Sequence, residues 1–360
     1  MTIAYIGLGS NLGDRKKFIH DALKMLAENK DIEVVRFSDI LETAPLGGAN
    51  QPDYLNAVAQ IKTALTAEDL HKTLIGVEAS LGRTREGKWS SRNIDLDLLL
   101  FGDGIINSPC LTVPHPQMHL RSFVLKDLCQ LDADLLHPVI KEPMKELASR
   151  LNNVDFVLNP ELPQLISVAG IIGVGKTTLA KKLSDILNCK CILEPYDENP
   201  FLPDVYAGKK ELALDSQLFF LTGRVKQLTR DALADGQITI SDYVFDKELI
   251  YAQILLDAEQ LVLYKGIYPP FSTAVVSPAL VIYLTDSVQN CLERIHRRNR
   301  PYEQKIEPQF LDALSRGHEK LFADWKKCPV IRLSMPEFDF MRDDNVQRLA
   351  NQIKSYIAIQ

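Results

Sequence analysis

Asp95 and Asp97 stand two residues apart in the run Arg92-Asn-Ile-Asp-Leu-Asp-Leu-Leu-Leu. On a strand, residues two apart share a face, so the two carboxylates project together while Leu96 and Leu98 face the other way. Like charges held side by side repel, and a divalent cation relieves that. Magnesium commonly takes one or two carboxylates together with substrate phosphates. Taken alone, such a pair is more often an exposed acidic edge strand. Its surroundings, however, are basic. Arg83, Arg85, Lys88 and Arg92 lie among Gly82, Gly87 and Trp89, and His115 and Arg121 follow, with Phe123 beyond. Guanidinium groups grip phosphate oxygens through paired, charge-assisted bonds. The pattern suits a magnesium–nucleotide platform, with a charged surface loop as the alternative.

A second chemical centre begins at Gly170. The run Gly170-Ile-Ile-Gly173-Val-Gly175-Lys176-Thr177-Thr178 fits G-x-x-x-x-G-K-[ST] between an apolar segment and a helical pattern, the setting that a phosphate-binding loop requires. Its glycines free backbone N–H groups to wrap phosphates, and the helix N-terminus adds a positive dipole end. Lys176 is then expected at the outer phosphates and Thr177 on magnesium. Glu194 follows the apolar segment 191–193, where an acid can take a proton from a substrate hydroxyl or simply cap a helix. Gln217 and Arg224 are seven apart, two turns along one helical face, placed to read a base edge or to form a solvated face. Arg294, Arg297, Arg298 and Arg300 precede Glu303, as an anion lid, a solvated face or a nucleic-acid patch.

These groups need elements to position them. The first half reads as strand 3–9, helix 15–29, strands 32–37 and 55–63, helix 67–81 and strand 94–101. That is the β-α-β-β-α-β order of an α+β ferredoxin-like domain, with Thr66 as N-cap of the second helix. The second half reads as strand 164–169, glycine loop, helix 177–188, a helical block over 212–235, and strands 238–241, 279–284 and 330–333. Such alternation implies an α/β domain around a parallel sheet. Asn152, Asn153, Asn159, Pro160 and Pro163 interrupt regular structure between the halves. The expected layout is a domain over 1–157, a linker over 158–163 and a domain over 164–360.

Bulk properties set outer limits. A length of 360 residues suits two domains at roughly 150 residues each. A net charge of -6 and pI near 5.7 speak against chain-wide polyanion binding and favour the lid for the arginine cluster. The six cysteines are scattered with no pair of CxxC units, so reduced, mostly packed thiols are expected. The start carries no signal-peptide pattern and no apolar run reaches 18 residues, so no membrane span and a cytoplasmic setting are expected.

Four segments of the first half, GSNLGD (9–14), TAPLGGANQPDYLNAV (43–58), the run over 82–102 and LTVPHPQMHLRSF (111–123), resemble 6-hydroxymethyl-7,8-dihydropterin pyrophosphokinase of folate synthesis. The resemblance covers about the first 150 residues. It implies diphosphate transfer from ATP to the pterin hydroxymethyl group, with two magnesium ions on Asp95 and Asp97. It places Arg83, Arg92 and Arg121 on the phosphates, Trp89 on a loop over ATP and His115 beside the nucleotide. Tyr54 and Phe123 sandwich the pterin, and Asn56 and the main chain at Thr43 and Leu46 read its edges. Pro116 stands where members carry either an aromatic or a proline.

The second half resembles the deoxyribonucleoside kinase family in GIIGVGKTTLAKKL (170–183), LEPYDENPF (193–201), Tyr206, SQLFFLTGR (216–224), SDYVFDKELIYA (241–252) and RIHRRNRPYEQKI (294–306). The resemblance implies Glu194 as general base on a 5′-hydroxyl, Gln217 on the nucleobase and Tyr206 with Glu303 on the 3′-hydroxyl. Arg294, Arg298 and Arg300 become the lid, one magnesium ion sits at Thr177, and a homodimer forms through this half. Asp242 occupies the family's second acid position, but Tyr243 follows it where the family commonly has Arg, and Lys247 is the nearby cation. The purine-preferring bacterial members are most similar, which points to deoxyadenosine. A regulatory module without turnover and a nucleoside monophosphate kinase are the competing readings. All the implied partners are small molecules: a dihydropterin, a deoxynucleoside and ATP.

Overall fold

Ala4, Ile6 and Leu8 alternate along β1 (Thr2–Ser10) and give the strand one fully buried face. In the computed structural model, which describes residues 1–46, 51–83 and 91–358, the chain divides into two compact units, Met1–Val157 and Leu158–Gln360.

In the first unit β1 is followed by α1 (Arg15–Ala27), β2 (Ile32–Phe37), β3 (Leu41–Thr43), β4 (Tyr54–Thr63), α2 (Ala67–Ser80) and β5 (Asp95–Phe101). The strand order is β2-β4-β1-β5, with β3 also on β4 and all pairings antiparallel. This is the expected ferredoxin-like arrangement. Thr66 caps α2 by accepting the Asp69 N–H at 3.1 Å. Ile19, Leu26, Leu70 and Leu74 from the two helices pack with Ile6, Leu8, Leu96 and Leu98. Leu96 and Leu98 therefore face the helices, which leaves Asp95 and Asp97 on the other face of β5. Gly9 and Gly7 of β1 pair with those two acids, so β1 places no side chain beside them. A two-strand hairpin, β6 (Ile106–Asn107) and β7 (Thr112–Val113), α3 (Ser122–Asp132) and α4 (Met144–Ser149) complete the unit. Two-residue strands carry no periodic signal.

The second unit opens with β8 (Gln164–Ala169), α5 (Lys176–Leu187) and β9 (Lys190–Ile192). It continues through α6 (Leu202–Tyr206), α7 (Ala213–Leu228), β10 (Ile238–Ser241), α8 (Lys247–Leu255) and α9 (Ala258–Ala274). It closes with β11 (Leu280–Thr285), α10 (Val288–Arg298), α11 (Pro308–Ala323), β12 (Val330–Ser334) and α12 (Asp343–Ile353). The five strands form one parallel sheet in the order β12-β11-β8-β10-β9. Every residue of central β8 is buried, as a parallel strand covered on both faces must be. The helical block expected to 235 ends at Leu228, where Thr229 turns extended. All six cysteines are free. Among the described residues, no helix is long and apolar enough to cross a membrane.

Candidate active sites

In the first unit the acid strand, the basic segments and the aromatic pair border one cavity of about 650 Å³. Asp95 accepts from Arg83 at 2.6 Å and from Arg92 at 2.7 Å, and Asp97 lies 3.5 Å from Arg121. Arg83 is held from its other side by Glu78 of α2, which also accepts the Leu96 N–H at 2.7 Å. Asn11 accepts the Arg92 N–H at 2.7 Å and donates its own N–H to the Arg92 carbonyl at 3.1 Å. Those bonds tie the entry of β5 to the end of β1. Burial, and then the neighbouring Asp97, raise the Asp95 pKa above the ordinary carboxylate range despite Arg92 and Arg83. Burial, reinforced by Arg121, pushes His115 down to about 3 and leaves its ring neutral.

Tyr54 opens β4 and Phe123 lies in the first turn of α3, so two different elements supply aromatic walls to that cavity. Asn56 donates to Thr43 Oγ1 at 2.7 Å across the β3–β4 pairing. Thr43, Leu46 and Asn56 border the same space. Trp89, with Arg85 and Lys88, lies outside the described residues. Asp127 of α3, unremarked in the sequence, also lines this cavity. Its signal was an acid four residues after Phe123 on a helix face otherwise made of Val124, Leu128 and Leu131.

In the second unit the glycine loop, Glu194, α7 and the arginine segment enclose about 630 Å³. Gly175 caps α5 with φ 109°, and a Cβ there would meet the Phe340 ring at 2.6 Å. Gly173, Gly175, Thr177 and Thr178 border the cavity. Gly170, expected with them at the phosphates, does not. It packs against the Leu284 carbonyl, which a Cβ would meet at 2.5 Å, so close strand packing fixes that glycine. Lys176 folds back onto the Ile171 carbonyl at 2.9 Å. Burial lowers its pKa against the pull of Glu194 and Asp242.

Asp242, expected to touch substrate, is fully buried behind the cavity instead. It accepts from Thr177 Oγ1 at 2.5 Å, from the Glu194 N–H at 2.8 Å and from the Tyr196 hydroxyl at 3.2 Å. It therefore positions the loop and the acid from behind. Glu194 accepts from Lys247 Nζ at 2.7 Å and from Arg224. Burial pushes Glu194 up, but Arg224 and Lys247 outweigh it and hold it down to about 2. Burial brings Lys247 down to about 8 against the pull of Glu194.

Arg224, read from sequence as a partner of Gln217 at a base edge, has its terminal nitrogens on Glu194 and Glu248. A carboxylate on each side leaves it clamping acids and no longer available to a base. Gln217, 2% exposed, keeps Oε1 without a hydrogen-bond partner among the described residues. Tyr243 turns into the core, and its hydroxyl donates to Gln227 Oε1 at 2.6 Å. The second cation on Glu194 therefore comes from Lys247, the first residue of α8.

Arg294 bonds Asp286 at 2.5 Å and the Gly173 carbonyl at 3.4 Å. Arg298 and Arg300 donate to Glu303 at 3.1 and 3.4 Å. The Arg300 guanidinium also sits over the Tyr196 ring, 4.8 Å from its centre. Tyr206 borders the cavity, its pKa raised by burial and then by Glu303. Sequence reasoning did not name Tyr196, Tyr251, Asp339 or Phe340, which also line it. Isolated aromatics and a coil after the last strand carry no spacing signal.

Comparison with known proteins matches each unit separately. The family described as 7,8-dihydro-6-hydroxymethylpterin-pyrophosphokinase (HPPK) covers residues 5–133, and that described as deoxynucleoside kinase covers residues 166–358. The 2-amino-4-hydroxy-6-hydroxymethyldihydropteridine pyrophosphokinase of Haemophilus influenzae is 41% identical over 151 residues, 41% of this chain and 94% of that protein. Its Bacillus subtilis counterpart is 43% identical over 129 residues, 36% of this chain and 77% of that protein. A structure of deoxyadenosine kinase from M. mycoides with bound dATP aligns with 53% of this chain and 99% of its own, at 24% identity and a TM-score of 0.47. The chain belongs to the 7,8-dihydro-6-hydroxymethylpterin pyrophosphokinase family through its first unit and to the deoxynucleoside kinase family through its second, a pyrophosphokinase fused to a deoxynucleoside kinase.

Proposed function

We propose that the chain is a bifunctional cytoplasmic enzyme acting in folate-precursor synthesis and deoxynucleoside salvage. The domain over 1–157 transfers diphosphate from ATP to 6-hydroxymethyl-7,8-dihydropterin. Beyond the linker 158–163, the domain over 164–360 phosphorylates the 5′-hydroxyl of a deoxynucleoside, deoxyadenosine. The first reading rests on an acid pair and three arginines facing an aromatic-walled cavity.

The donor chemistry of Asp95 and Asp97 fits two magnesium ions. Burial and the neighbouring Asp97 disfavour an ionised Asp95 despite its two arginines, which a cation would relieve, and the open set of two carboxylates leaves room for phosphate oxygens. Magnesium would supply charge neutralisation on the transferring phosphates. Arg83, Arg92 and Arg121 exchange carboxylate for phosphate partners, His115 and Trp89 border ATP, and Tyr54 and Phe123 sandwich the pterin. Asn56 and the main chain at Thr43 and Leu46 read its edges.

In the kinase domain Gly173, Gly175, Lys176 and Thr178 receive the phosphates of ATP. The Thr177 hydroxyl suits one magnesium ion, since it donates its proton to Asp242 and has a lone pair to offer beside the Tyr196 hydroxyl at 3.3 Å. A Glu194 held near pKa 2 is a weak base. Its part is to align the 5′-hydroxyl and take the proton late, which suffices where the transferring phosphoryl is only loosely bonded. Lys247 replaces the arginine that the family commonly carries after the second acid. Arg294, Arg298 and Arg300 turn to the phosphates when they are present, freeing Glu303 to join Tyr206 at the 3′-hydroxyl. The buried, unpartnered Oε1 of Gln217 supports a base bearing an amino group. A glutamine amide pairs with the N6 amino group and N7 of adenine together. Val262 and Leu263, exposed on α9, support pairing of this domain with a second copy.

The kinase reading is tested with labelled Mg-ATP and each of the four deoxynucleosides. Deoxyadenosine 5′-monophosphate is expected, and Glu194→Gln should abolish it. ATP binding without any product points to a regulatory module, and phosphorylation of the monophosphate alone points to a nucleoside monophosphate kinase. The pyrophosphokinase reading requires AMP release from Mg-ATP that depends on the dihydropterin.

A further inference from the structure

The cavity of the first unit has a wall with no part in the reading above. Asp127 lies on α3 four residues after Phe123, so both side chains leave the helix on one face, and both border the cavity. It is 1% exposed, and the apolar Val58, Leu99 and Val124, which line the same cavity, are no more than 3% exposed. Neither carboxyl oxygen has a hydrogen-bond partner among the described residues. Burial raises the Asp127 pKa, and the polar neighbour Ser38 is close enough to lower it somewhat. The Ser38 hydroxyl, however, donates to the Asp39 carbonyl at 3.0 Å and accepts the Val58 N–H at 2.9 Å, so it does not complete the bonding of either carboxyl oxygen. Buried side-chain polar atoms are nearly always bonded, and an exception of this kind needs a reason.

The cavity supplies one. Asn56 has its amide N–H on Thr43, which leaves mainly its carbonyl for a ligand. A dihydropterin presents several N–H donors: an exocyclic amino group and ring N–H groups on both sides of the bicycle. Asn56 and one stretch of main chain cannot receive all of them. We propose that Asp127 is a specificity-determining residue of the pyrophosphokinase site, its carboxyl accepting N–H donors of the substrate heterocycle. The proposal rests on reading this cavity as the pterin pocket. It accounts for an acid kept on an apolar face, because a site built to bond N–H groups rejects a planar ligand that lacks them and leaves the acid bare.

The test measures dihydropterin-dependent AMP release by the full chain and its Asp127→Leu and Asp127→Asn variants. Asp127→Leu should raise the KM for dihydropterin about tenfold or more, the scale of a lost bond to a buried acceptor. The KM for ATP and kcat should stay within about twofold. Asp127→Asn, which keeps one acceptor oxygen and the shape, should fall between, and neither variant should melt below the parent. An unchanged dihydropterin KM in both variants, or equal rises for both substrates, overturns the assignment. If Asp127→Leu does not fold, an unchanged dihydropterin KM in Asp127→Asn overturns it alone. A parent chain with no dihydropterin-dependent turnover removes the pocket reading and this proposal together.

Discussion

The two cavities are close in volume, about 650 and 630 Å³, and both are proposed to take Mg-ATP, yet their electrostatics are opposite. In the first unit two acids share one strand face, and their repulsion and burial raise Asp95 even with two arginines beside it. In the second, one acid is gripped by two cations and held near pKa 2. On the proposed functions, the difference follows from what would meet the phosphates. Where no glycine loop supplies N–H groups, an acid platform for cations must do so. Where a loop and helix N-terminus receive the phosphates, the acid is free to face the acceptor hydroxyl and must be kept ionised there.

The sharpest way to break this comparison is Asp97→Asn, which halves the acid pair while sparing the arginine pairs of Asp95. Pterin-dependent AMP release should fall about 10³-fold, with deoxynucleoside phosphorylation unchanged in the same preparation. A matching fall in both activities would show that the sites are not independent. Next in size, Glu194→Gln should lower kinase turnover roughly 10²–10³-fold and leave AMP release intact.

Lys247→Ala should cost about 10–10²-fold in kinase kcat, and Lys247→Arg should recover part of it. Full turnover in Lys247→Ala removes Lys247 from the mechanism. With burial holding Lys247 down to about 8 amid Glu194, Arg224 and Lys176, parental turnover is expected to decline above that pH. Lys247→Arg should move the decline upward.

The smallest effect concerns stability. Burial raises Asp127 to about 7 from 3.8, with Ser38 and then Lys126 opposing and Asp39 reinforcing. Folded Asp127 then binds its proton more tightly than the unfolded chain does. Stability falls as pH rises from about 4 towards 7. Asp127→Asn should flatten that slope and stabilise the first unit at pH 7.5 by roughly 1–3 kcal/mol, read from its thermal transition across a pH series.

The contrast between the sites also explains what could be read without coordinates. Asp95, Asp97, the glycine loop and the ferredoxin-like order were legible because strand alternation and loop spacing are local. Phe123 was legible only through resemblance. The partners of Glu194 were not: Arg224, Lys247 and the Asp242 carboxylate that accepts the Glu194 N–H come from three segments that the parallel sheet brings together. Nothing in the spacing of Arg224 distinguishes a base reader from a clamp on two acids. Asp242 failed as a contact residue for the same reason, since burial behind Thr177 depends on how β10 and α5 flank β8.

Tyr243 constrains any attempt to place the family's usual arginine at its position. Its ring fills the core and its hydroxyl is fixed on Gln227, while Arg224 and Lys247 lie 5.7 Å from the ring centre. Restoring arginine there would force a third cation between two already committed to one acid, in a space shaped for a phenol. A chimera built to carry the common motif is therefore expected to need Tyr243, Gln227 and Lys247 exchanged as a set.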